Sequence, residues 1–595
     1  MHDDAALVRY ARGLATFAAT SDAAEIDTLA AITATLAARD DLDVVFAYEH
    51  ALPRYPVTVP EPPHGVAPAI VLATAREALL GAATRRRHGA HYTPYSVARR
   101  LAAIALDRLP LSRCTTACDP AVGGGVFLVA LADEIEARGL GRADAVARLW
   151  GADIDPVSVA VTRTALQLWA GGKVDGLDDR VVVGDPLLRG AAVWSSANDS
   201  FDLVIGNPPF LNQLQRASSR TRADARQLTE QFGDAARGYV DSSALFMLTG
   251  LDLVAADGIV LLIQPQSCLS ARDSERVRNA VDERATLEGL WFCRDRIFDA
   301  SVRVCAPLIR AATSETSERS PVMRWVDRDV TPVATAVRDS DKGSWSSLIG
   351  DLLGIPTIEL ERGRTLADIG CRATSGFRDQ FYGFVDATHE RVDRPDATLR
   401  LVTVGMIDPL SLRWGSRTSR FARRDFRAPV VDVGELTESV RVWAEARQGT
   451  KLLVATQTKV IEVAVDLSGD CVPLTPVIEL RTPEGWLWRV AAALTNPVAT
   501  AVGCGLGAGT ALALDAIKLS ARQVLSLPVP LDDGLWDLGA ELAETAATLT
   551  GDRAPLFRQL GETMCAAHGQ PVEPLTGWWL ARLPKDALTS APPQC

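Results

Sequence analysis

The chain has 595 residues, which is too long for a single hydrophobic core, so the sequence predicts two or three domains. Its formal net charge of −12 argues against a surface coated with nucleic-acid-binding groups, although it is compatible with a local basic groove. The ten cysteines form no CxxC pair, which indicates a reduced compartment without a disulfide framework or a metal site. The first residues lack a secretory signal, so we expect a cytoplasmic location.

The N-terminal half of the chain predicts helices followed by a sheet. Residues 1–80 are rich in Ala and Leu at helical spacing and indicate a helical N-terminal extension. Farther along, short apolar runs alternate with amphipathic stretches. The expected strands are Thr116–Cys118, Leu149–Ala152, Arg180–Val183, Leu203–Ile205 and Ile259–Ile263. Regular alternation of strand and helix predicts an α/β fold with a mostly parallel sheet covered on both faces.

A change of composition near residue 325 marks a predicted domain boundary. Residues 326–540 mix turns, aromatic residues and short strands such as Lys451–Ala455 and Val460–Val465, and they predict a mixed α+β domain. Residues 541–595 predict a helical tail. The uncharged segment 490–514 is long enough to span a bilayer, but its glycines favour a buried helix followed by a glycine-rich loop. We therefore expect no membrane segment.

A glycine-rich turn is expected at the end of the first strand. Residues 119–125 read Asp-Pro-Ala-Val-Gly-Gly-Gly and precede a helix that begins near Val126. In an open parallel sheet, ligands bind beyond the carboxyl ends of the strands, and glycine lets a ligand approach the backbone. A plain tight turn explains the pattern equally well. The turn lacks the Lys-Ser/Thr ending of a P-loop, which argues against nucleoside triphosphate chemistry.

Acidic residues follow the next two strands. Asp153 ends the second strand, where its carboxylate can accept hydrogen bonds from ribose hydroxyls, whereas Asp155 is better interpreted as the cap of the following helix. Asp185 ends the third strand and can accept from an adenine amine. Three acidic strand ends in succession indicate an adenosyl cofactor.

The strongest motif is Asn207-Pro208-Pro209-Phe210, which follows an apolar strand. An amide oxygen and a carbonyl oxygen can both accept from one NH2 group, which makes its nitrogen a better nucleophile, and the aromatic ring can stack on the same base. The competing interpretation is a proline-rich turn after a strand. That interpretation does not account for an Asn in front of the two prolines.

Taken together, these motifs resemble the gamma class of N6-adenine DNA methyltransferases, of the TaqI-like and single-chain restriction-modification type. The resemblance spans roughly residues 85–530. It implies a Rossmann-like, S-adenosylmethionine-dependent methyltransferase domain at residues 81–325 and a C-terminal target recognition domain. It also implies methyl transfer to adenine N6 in double-stranded DNA, with the base rotated out of the duplex and without a covalent intermediate or a metal.

Carried over residue by residue, the resemblance assigns two groups of residues. The residues expected to contact the cofactor are Tyr92, Thr93, Asp119, Ala121, Gly123, Asp153 and Asp185. The residues expected to hold the target base are Asn207, Pro208, Pro209 and Phe210, with Phe298 as a second stacking aromatic; a core Phe is an equal alternative at position 298.

Residues 413–424 form a basic segment with interleaved aromatic residues, which suits phosphate contact. The expected DNA-binding residues are Arg413, Arg417, Arg420, Arg423 and Arg424. A solvated arginine face is the alternative. The first eighty residues show no nuclease motif, so a nuclease or defence-system partner is expected to be a separate subunit.

Other functions stay open on the sequence. Such a turn also suits methylation of other planar NH2 groups: the side-chain amide of a protein glutamine, the amine of adenine in RNA, or the N4 amine of cytosine. Cytosine enzymes usually carry Ser or Asp where Asn207 stands, and the large recognition-like domain argues against the first two. A noncatalytic DNA-binding subunit is the alternative of another class, and the intact tetrapeptide argues against it.

Overall fold

The computed structural model describes residues 4–21, 23–48, 57–80, 93–195, 200–210, 221–237, 240–297, 302–312, 321–338, 344–360, 363–376, 378–393, 396–397, 399–509 and 516–589. The chain divides into two compact units, Met1–Leu348 and Ile349–Cys595. Strands of the first unit continue past residue 325, where composition placed the boundary. The functional assignment of the domains stays a prediction.

The first unit is built on one large sheet. Its strands are β1 Ala117–Asp119, β2 Leu149–Asp153, β3 Val181–Val183, β4 Phe201–Gly206, β5 Val254–Leu262, β6 Gln264–Pro265, β7 Ala285–Phe292, β8 Val304–Ala311, β9 Val322–Val326 and β10 Thr331–Ala336. The strand order is β10-β9-β7-β8-β5-β4-β1-β2-β3, and β6 pairs with β8. Strands β1 to β5 run parallel, so the expected α/β fold is confirmed.

Helices cover this sheet. They are α1 Asp4–Thr20, α2 Glu25–Arg39, α3 Pro68–Leu79, α4 Tyr95–Arg108, α5 Val126–Ala137, α6 Arg142–Ala147, α7 Pro156–Ala170, α8 Leu177–Arg180, α9 Pro186–Arg189, α10 Arg222–Phe232, α11 Ser242–Leu253 and α12 Glu275–Arg284. The N-terminal helices share one hydrophobic core with the sheet, since Leu29 and Leu72 belong to the same buried cluster as Leu203. The helical extension is therefore part of the first unit.

The second unit contains two small sheets and two hairpins. Its strands are β11 Arg372–Ser375, β12 Thr388–Glu390, β13 Leu399–Val402, β14 Ile407–Asp408, β15 Ser411–Leu412, β16 Ser419–Phe421, β17 Arg424–Phe426, β18 Pro429–Val431, β19 Lys451–Ala455, β20 Glu462–Asp466, β21 Cys471–Pro473 and β22 Ile478–Arg481. The sheets have the orders β11-β22-β19-β20 and β12-β18-β13-β21, and β14-β15 and β16-β17 are hairpins. Mixed α+β character is thus present in this unit.

The helices of the second unit are α13 Arg378–Gly383, α14 Glu438–Glu445, α15 Leu487–Leu494, α16 Pro497–Gly507, α17 Ala521–Leu525, α18 Asp533–Thr548, α19 Ala554–Ala567, α20 Leu575–Leu580 and α21 Lys585–Thr589. The C-terminal segment is helical, and its helices pack onto the rest of the second unit. Arg553 is fully buried and donates to the carbonyl oxygens of Ala546, Ala587, Pro409 and Leu410, which ties these helices to the β14-β15 hairpin.

The uncharged segment forms two helices where a helix and a glycine-rich loop were expected. Gly503 and Gly505 lie inside α16, and a methyl group at position 503 would come within 3.2 Å of Ile461 Cδ1, so glycine allows close packing there. Among the described residues no single helix is long and apolar enough to cross a membrane; α15 and α16 reach that length only together, across a bend of 60°.

Asp202, near the start of β4, ties this strand to the chain that enters β1. Its Oδ2 accepts from the backbone N–H groups of Thr115 (2.7 Å) and Thr116 (3.0 Å) and from both threonine hydroxyls. One carboxylate oxygen therefore accepts hydrogen bonds from all four of these donors in the segment that precedes β1.

We expect Asp202→Ala to lower the free energy of unfolding by about 2 kcal/mol, because two backbone donors lose a charged acceptor. Asp202→Asn keeps an acceptor oxygen and is expected to cost about half as much. Urea denaturation of the three proteins measures the difference. Equal stability of wild type and Asp202→Ala would contradict the role given to this carboxylate.

Candidate functional site

The site lies where the strand order reverses. From β1 the chain proceeds outward through β2 to β3 on one side, while β4 and β5 extend the sheet on the other side. Ligands of open α/β sheets bind at this switch point, beyond the carboxyl ends of the strands. Asp119 ends β1 and Gly206 ends the neighbouring parallel strand β4, so the glycine turn and the tetrapeptide start side by side.

The carboxylate of Asp119 is buried against Gly206. A methyl group at position 206 would lie 2.3 Å from Asp119 Oδ1, so any side chain there requires the Asp119 carboxyl group to shift. The backbone N–H of Ala121 donates to the same oxygen at 2.9 Å. Burial raises the pKa of Asp119 to about 8, the Ala121 N–H opposes the rise, and the neighbouring Asp153 charge adds to it.

Each glycine of the turn has its own structural reason. Gly123 (φ +52°) and Gly125 (φ +85°) adopt left-handed conformations, and at Gly123 a side chain would point into open space. Gly124 instead makes room for helix α3, because a methyl group there would lie 2.5 Å from the carbonyl oxygen of Ala73. Only Gly123 therefore presents backbone that a ligand can approach.

Two carboxylates shape the loop after β2. Asp153 accepts from the N–H of Gly123 and from the N–H of Asp155, each at 2.9 Å, and burial raises its pKa. Asp155 caps α7 by accepting from Val157 N–H and Ser158 N–H, as the sequence suggested. Burial alone would raise the pKa of Asp155, but the hydrogen bond and charge of Arg76 and the hydrogen bonds from Ser158 and Val157 together lower it.

Beside these acids, two apolar side chains face solvent, and sequence reasoning missed both. Ile154 is 51% exposed and Val183 is 52% exposed. Val183 is the register partner of Asp153 on the adjacent strand. Asp185, which follows, accepts from Leu187 N–H and caps the short helix α9. The strand ends thus combine carboxylates with exposed aliphatic surface, a composition that suits a nucleoside.

Asn207 is positioned by a hydrogen bond to Thr93. Its Nδ2 donates to Thr93 Oγ1 at 3.0 Å, and Thr93 is buried just before helix α4. The hydroxyl of Ser242 donates to the carbonyl oxygen of Pro209 at 3.0 Å. Asn207 and Phe210 are half-buried, and Pro208 is buried. Contacts to Thr93 and to α11 therefore fix both sides of the tetrapeptide.

Some predicted residues lie outside the described part of the chain. They are Tyr92, assigned to the cofactor, and Phe298, assigned to the target base.

The five predicted DNA-binding arginines fall into two groups. Arg413 is 8% exposed, and its guanidinium donates to Asp408 Oδ2 (2.7 Å) and to the carbonyl oxygen of Asp586 (2.8 Å). Arg417 is half-buried and donates to both oxygens of Asp408. These two side chains are engaged inside the second unit. Arg420, Arg423 and Arg424 are exposed on the β16-β17 hairpin.

The hairpin has an unusual turn. Ala422 (φ +49°) and Arg423 (φ +66°) are both in the left-handed region, which residues other than glycine seldom adopt, so the turn is strained. Phe421 and Phe426 anchor the two strands in the core beneath it. Three exposed arginines thus lie on a hairpin whose two strands are anchored by buried phenylalanines.

Comparison with known proteins gives two sequence matches. Residues 147–298 match the family described as Eco57I restriction-modification methylase. A stretch of 132 residues is 29% identical to Defense against restriction protein B of Escherichia phage P1, and it covers 22% of this chain and 5% of that protein. The chain therefore spans only a small part of the length of this phage protein.

Among solved structures, the Type IIL restriction-modification enzyme MmeI in complex with DNA has a TM-score of 0.56 at 11% identity, over 86% of this chain and 80% of that chain. The type IIG restriction endonuclease BpuSI has a TM-score of 0.40 at 14% identity, over 98% and 78% of the two chains. At this identity the likeness to MmeI concerns the fold alone. The family match adds a sequence similarity to restriction-modification methylases over residues 147–298, a stretch of the first unit that includes Asn207.

We expect Gly206→Ala to lower the free energy of unfolding by about 1–3 kcal/mol, because its methyl group collides with the Asp119 carboxylate. In an Asp119→Ala background the obstructing oxygens are gone, and the same change is expected to cost less. A double-mutant cycle by chemical denaturation measures this coupling. Additive effects would show that the two residues do not depend on each other.

Proposed function

We propose that this chain is a site-specific DNA methyltransferase that uses S-adenosylmethionine to methylate adenine N6 in double-stranded DNA, as gamma-class enzymes do. The observation that carries the proposal is the position of Asn207: its amide is held by Thr93 at the switch point of the sheet, directly after the Gly206 on which Asp119 packs. A restriction-modification or phage-defence setting is supported by the Eco57I restriction-modification methylase match over residues 147–298.

The residues around the glycine turn fit S-adenosylmethionine. Gly123 offers open backbone, Asp153 offers carboxylate oxygens for ribose hydroxyls, and exposed Ile154 and Val183 offer apolar cover for an adenine ring. When bound, this cofactor supplies a methyl group on a positively charged sulfur. We assign Asp185 to the cofactor adenine, and Tyr92, Asp119 and Ala121 to the methionine side of the site.

The tetrapeptide positions the target amine. Because Nδ2 of Asn207 donates to Thr93, the amide is oriented with its oxygen as the acceptor for the amine. The Pro208 carbonyl is the second acceptor, while the Pro209 carbonyl accepts from Ser242 and keeps the turn in place. These two fixed acceptors stabilise the transition state, because positive charge develops on the nitrogen of the target amine. The base, rotated out of the duplex, stacks on Phe210.

Contact with the DNA backbone is assigned to the β16-β17 hairpin. Arg420, Arg423 and Arg424 are exposed there, whereas the guanidinium of Arg413 is occupied by partners inside the protein. We therefore restrict the proposed DNA contact to these three residues. A separate nuclease or defence-system subunit as partner is part of the same proposal.

We expect Asn207→Ala to abolish methyl transfer while its affinity for S-adenosylmethionine stays within about twofold of wild type, because the amide acts on the target base and not on the cofactor. Asp153→Ala is expected to weaken cofactor binding by at least about tenfold, since the acid both orders Gly123 and faces the ribose. Isothermal titration calorimetry and single-turnover methylation of duplex DNA separate the two effects.

Long-read sequencing of DNA from a host that expresses the wild-type protein identifies the modified base and its sequence context. Methylated adenine in one context supports the proposal. Absence of any modified base, together with no cofactor binding by the purified protein, would overturn it. Full activity of Asn207→Ala would remove this residue from its assigned role.

We expect the triple variant Arg420→Ala, Arg423→Ala, Arg424→Ala to bind duplex DNA more weakly and with a salt dependence that is shallower by about three units of slope, one for each lost phosphate contact. Filter binding over a range of salt concentrations measures both quantities.

The matched control removes the same charge from other exposed arginines of the second unit, with Arg364→Ala, Arg372→Ala and Arg522→Ala. We expect this control to retain nearly all of the wild-type affinity. Equal losses in the two triple variants would mean that the hairpin acts only through net charge.

A further inference from the structure

Helix α3 forms the outer wall of the glycine turn. The carbonyl oxygen of Ala73 lies 2.5 Å from the place where a methyl group at position 124 would stand. The helix and the turn therefore pack backbone against backbone, and a side chain at position 124 has no room. Helix α3 belongs to the N-terminal extension, so this extension borders the proposed cofactor site.

Arg76, three residues after Ala73 on the same helix, reaches toward the loop after β2. It is 4% exposed, and its guanidinium lies between two carboxylates. Nη1 donates to Glu25 on α2, and Nη2 donates to Asp155 Oδ2 at 2.5 Å. A guanidinium buried to this degree is held in one position by its partners, because leaving either charge unpaired is costly.

The two carboxyl groups paired with Arg76 have opposite pKa shifts. Burial is the largest influence on Asp155 and opposes its ionisation, but the hydrogen bond and charge of Arg76, together with the hydrogen bonds from Ser158 and Val157, outweigh burial and lower the pKa of that carboxyl. At Glu25 burial dominates, and the pKa stays raised although Arg76 opposes the rise. The charge of Arg76 thus favours ionisation of both acids, and at Asp155 the net pKa is lowered.

A continuous set of hydrogen bonds leads from Arg76 to the glycine turn. Asp155 is fixed by Arg76 and caps α7. Its backbone N–H donates to Asp153 Oδ1, and Asp153 Oδ2 in turn accepts from the N–H of Gly123, each at 2.9 Å. Displacement of Asp155 would therefore displace both groups that face the ribose and the methionine in the proposed complex.

We propose that Arg76 is a positioning residue for the cofactor: from α3 it holds Asp155, and through Asp155 it keeps Asp153 and Gly123 in the arrangement that binds the nucleoside part of S-adenosylmethionine. This inference rests on the proposed function. It gives the N-terminal helical extension a direct part in cofactor binding, since the anchoring guanidinium comes from that extension and not from the sheet.

The test is calorimetric titration of the full chain with S-adenosylmethionine. Arg76→Met keeps the apolar stem and removes the charge, and we expect it to weaken binding by about tenfold, the factor that matches one charge-assisted hydrogen bond. Arg76→Lys should recover part of the affinity. At saturating cofactor, the rate of methyl transfer by Arg76→Met should stay close to wild type, so that the cofactor KM changes and kcat does not.

Asp155→Asn probes the same contact from its other partner, and it remains available if Arg76→Met folds poorly. It should weaken binding to a similar degree, and the double variant should be no weaker than either single variant, because one contact is lost in all three. The matched control is Glu25→Gln, which removes the other ion pair of Arg76. We expect the control to lower the melting temperature while its Kd stays within about twofold of wild type.

Wild-type Kd in Arg76→Met or in Asp155→Asn would overturn the inference. Losses of affinity in Glu25→Gln that match those of Arg76→Met would also overturn it, since Arg76 would then act on stability alone. If the wild-type protein itself fails to bind S-adenosylmethionine, the proposed function fails, and that result is distinct from both of these.

Discussion

The candidate site depends on the packing of one buried carboxylate against one glycine. Asp119 and Gly206 end neighbouring parallel strands, and the carboxylate occupies the space that any side chain at position 206 would need. A buried acid requires a hydrogen-bond donor, and the backbone N–H of Ala121 supplies it. Because Asn207 follows Gly206 directly, this contact sets the distance between the glycine turn and the tetrapeptide.

Much of the sheet could be predicted from the sequence, because strands covered on both faces are continuous apolar runs that end in Gly, Asp or Asn. Strands β1, β2 and β4 end in Asp119, Asp153 and Gly206, and β3 is followed directly by Gly184 and Asp185. The antiparallel strand β8, inserted between β5 and β7, carries no local signal, since pairing order is decided by distant parts of the chain. The same reason explains why composition at residue 325 did not reveal that β9 and β10 extend the sheet.

At the site, positions were easier to predict than contacts. Motifs at strand ends must meet at one edge of a parallel sheet, so Asp153 and Asn207 could be named from spacing. No local pattern links Thr93 to Asn207, although the structure joins their side chains. Likewise, the same basic segment contains the buried Arg413 and the exposed Arg420. Arg413 is buried because it pairs with Asp408 on the preceding hairpin, and the segment's own sequence does not reveal this partner.

The loop after β2 contains two carboxylates with opposite pKa shifts, and this difference separates their tasks. Arg76 stabilises the charge of Asp155, and Asp155 caps the N-terminus of α7. Burial raises the pKa of Asp153, whose hydrogen bonds come from backbone N–H groups and not from a cation. A carboxylate without a cationic partner gains more from a new donor than one that is already neutralised. In the proposed complex, Asp153 is therefore the acid assigned to the ligand, and Asp155 is the acid that keeps Asp153 in place.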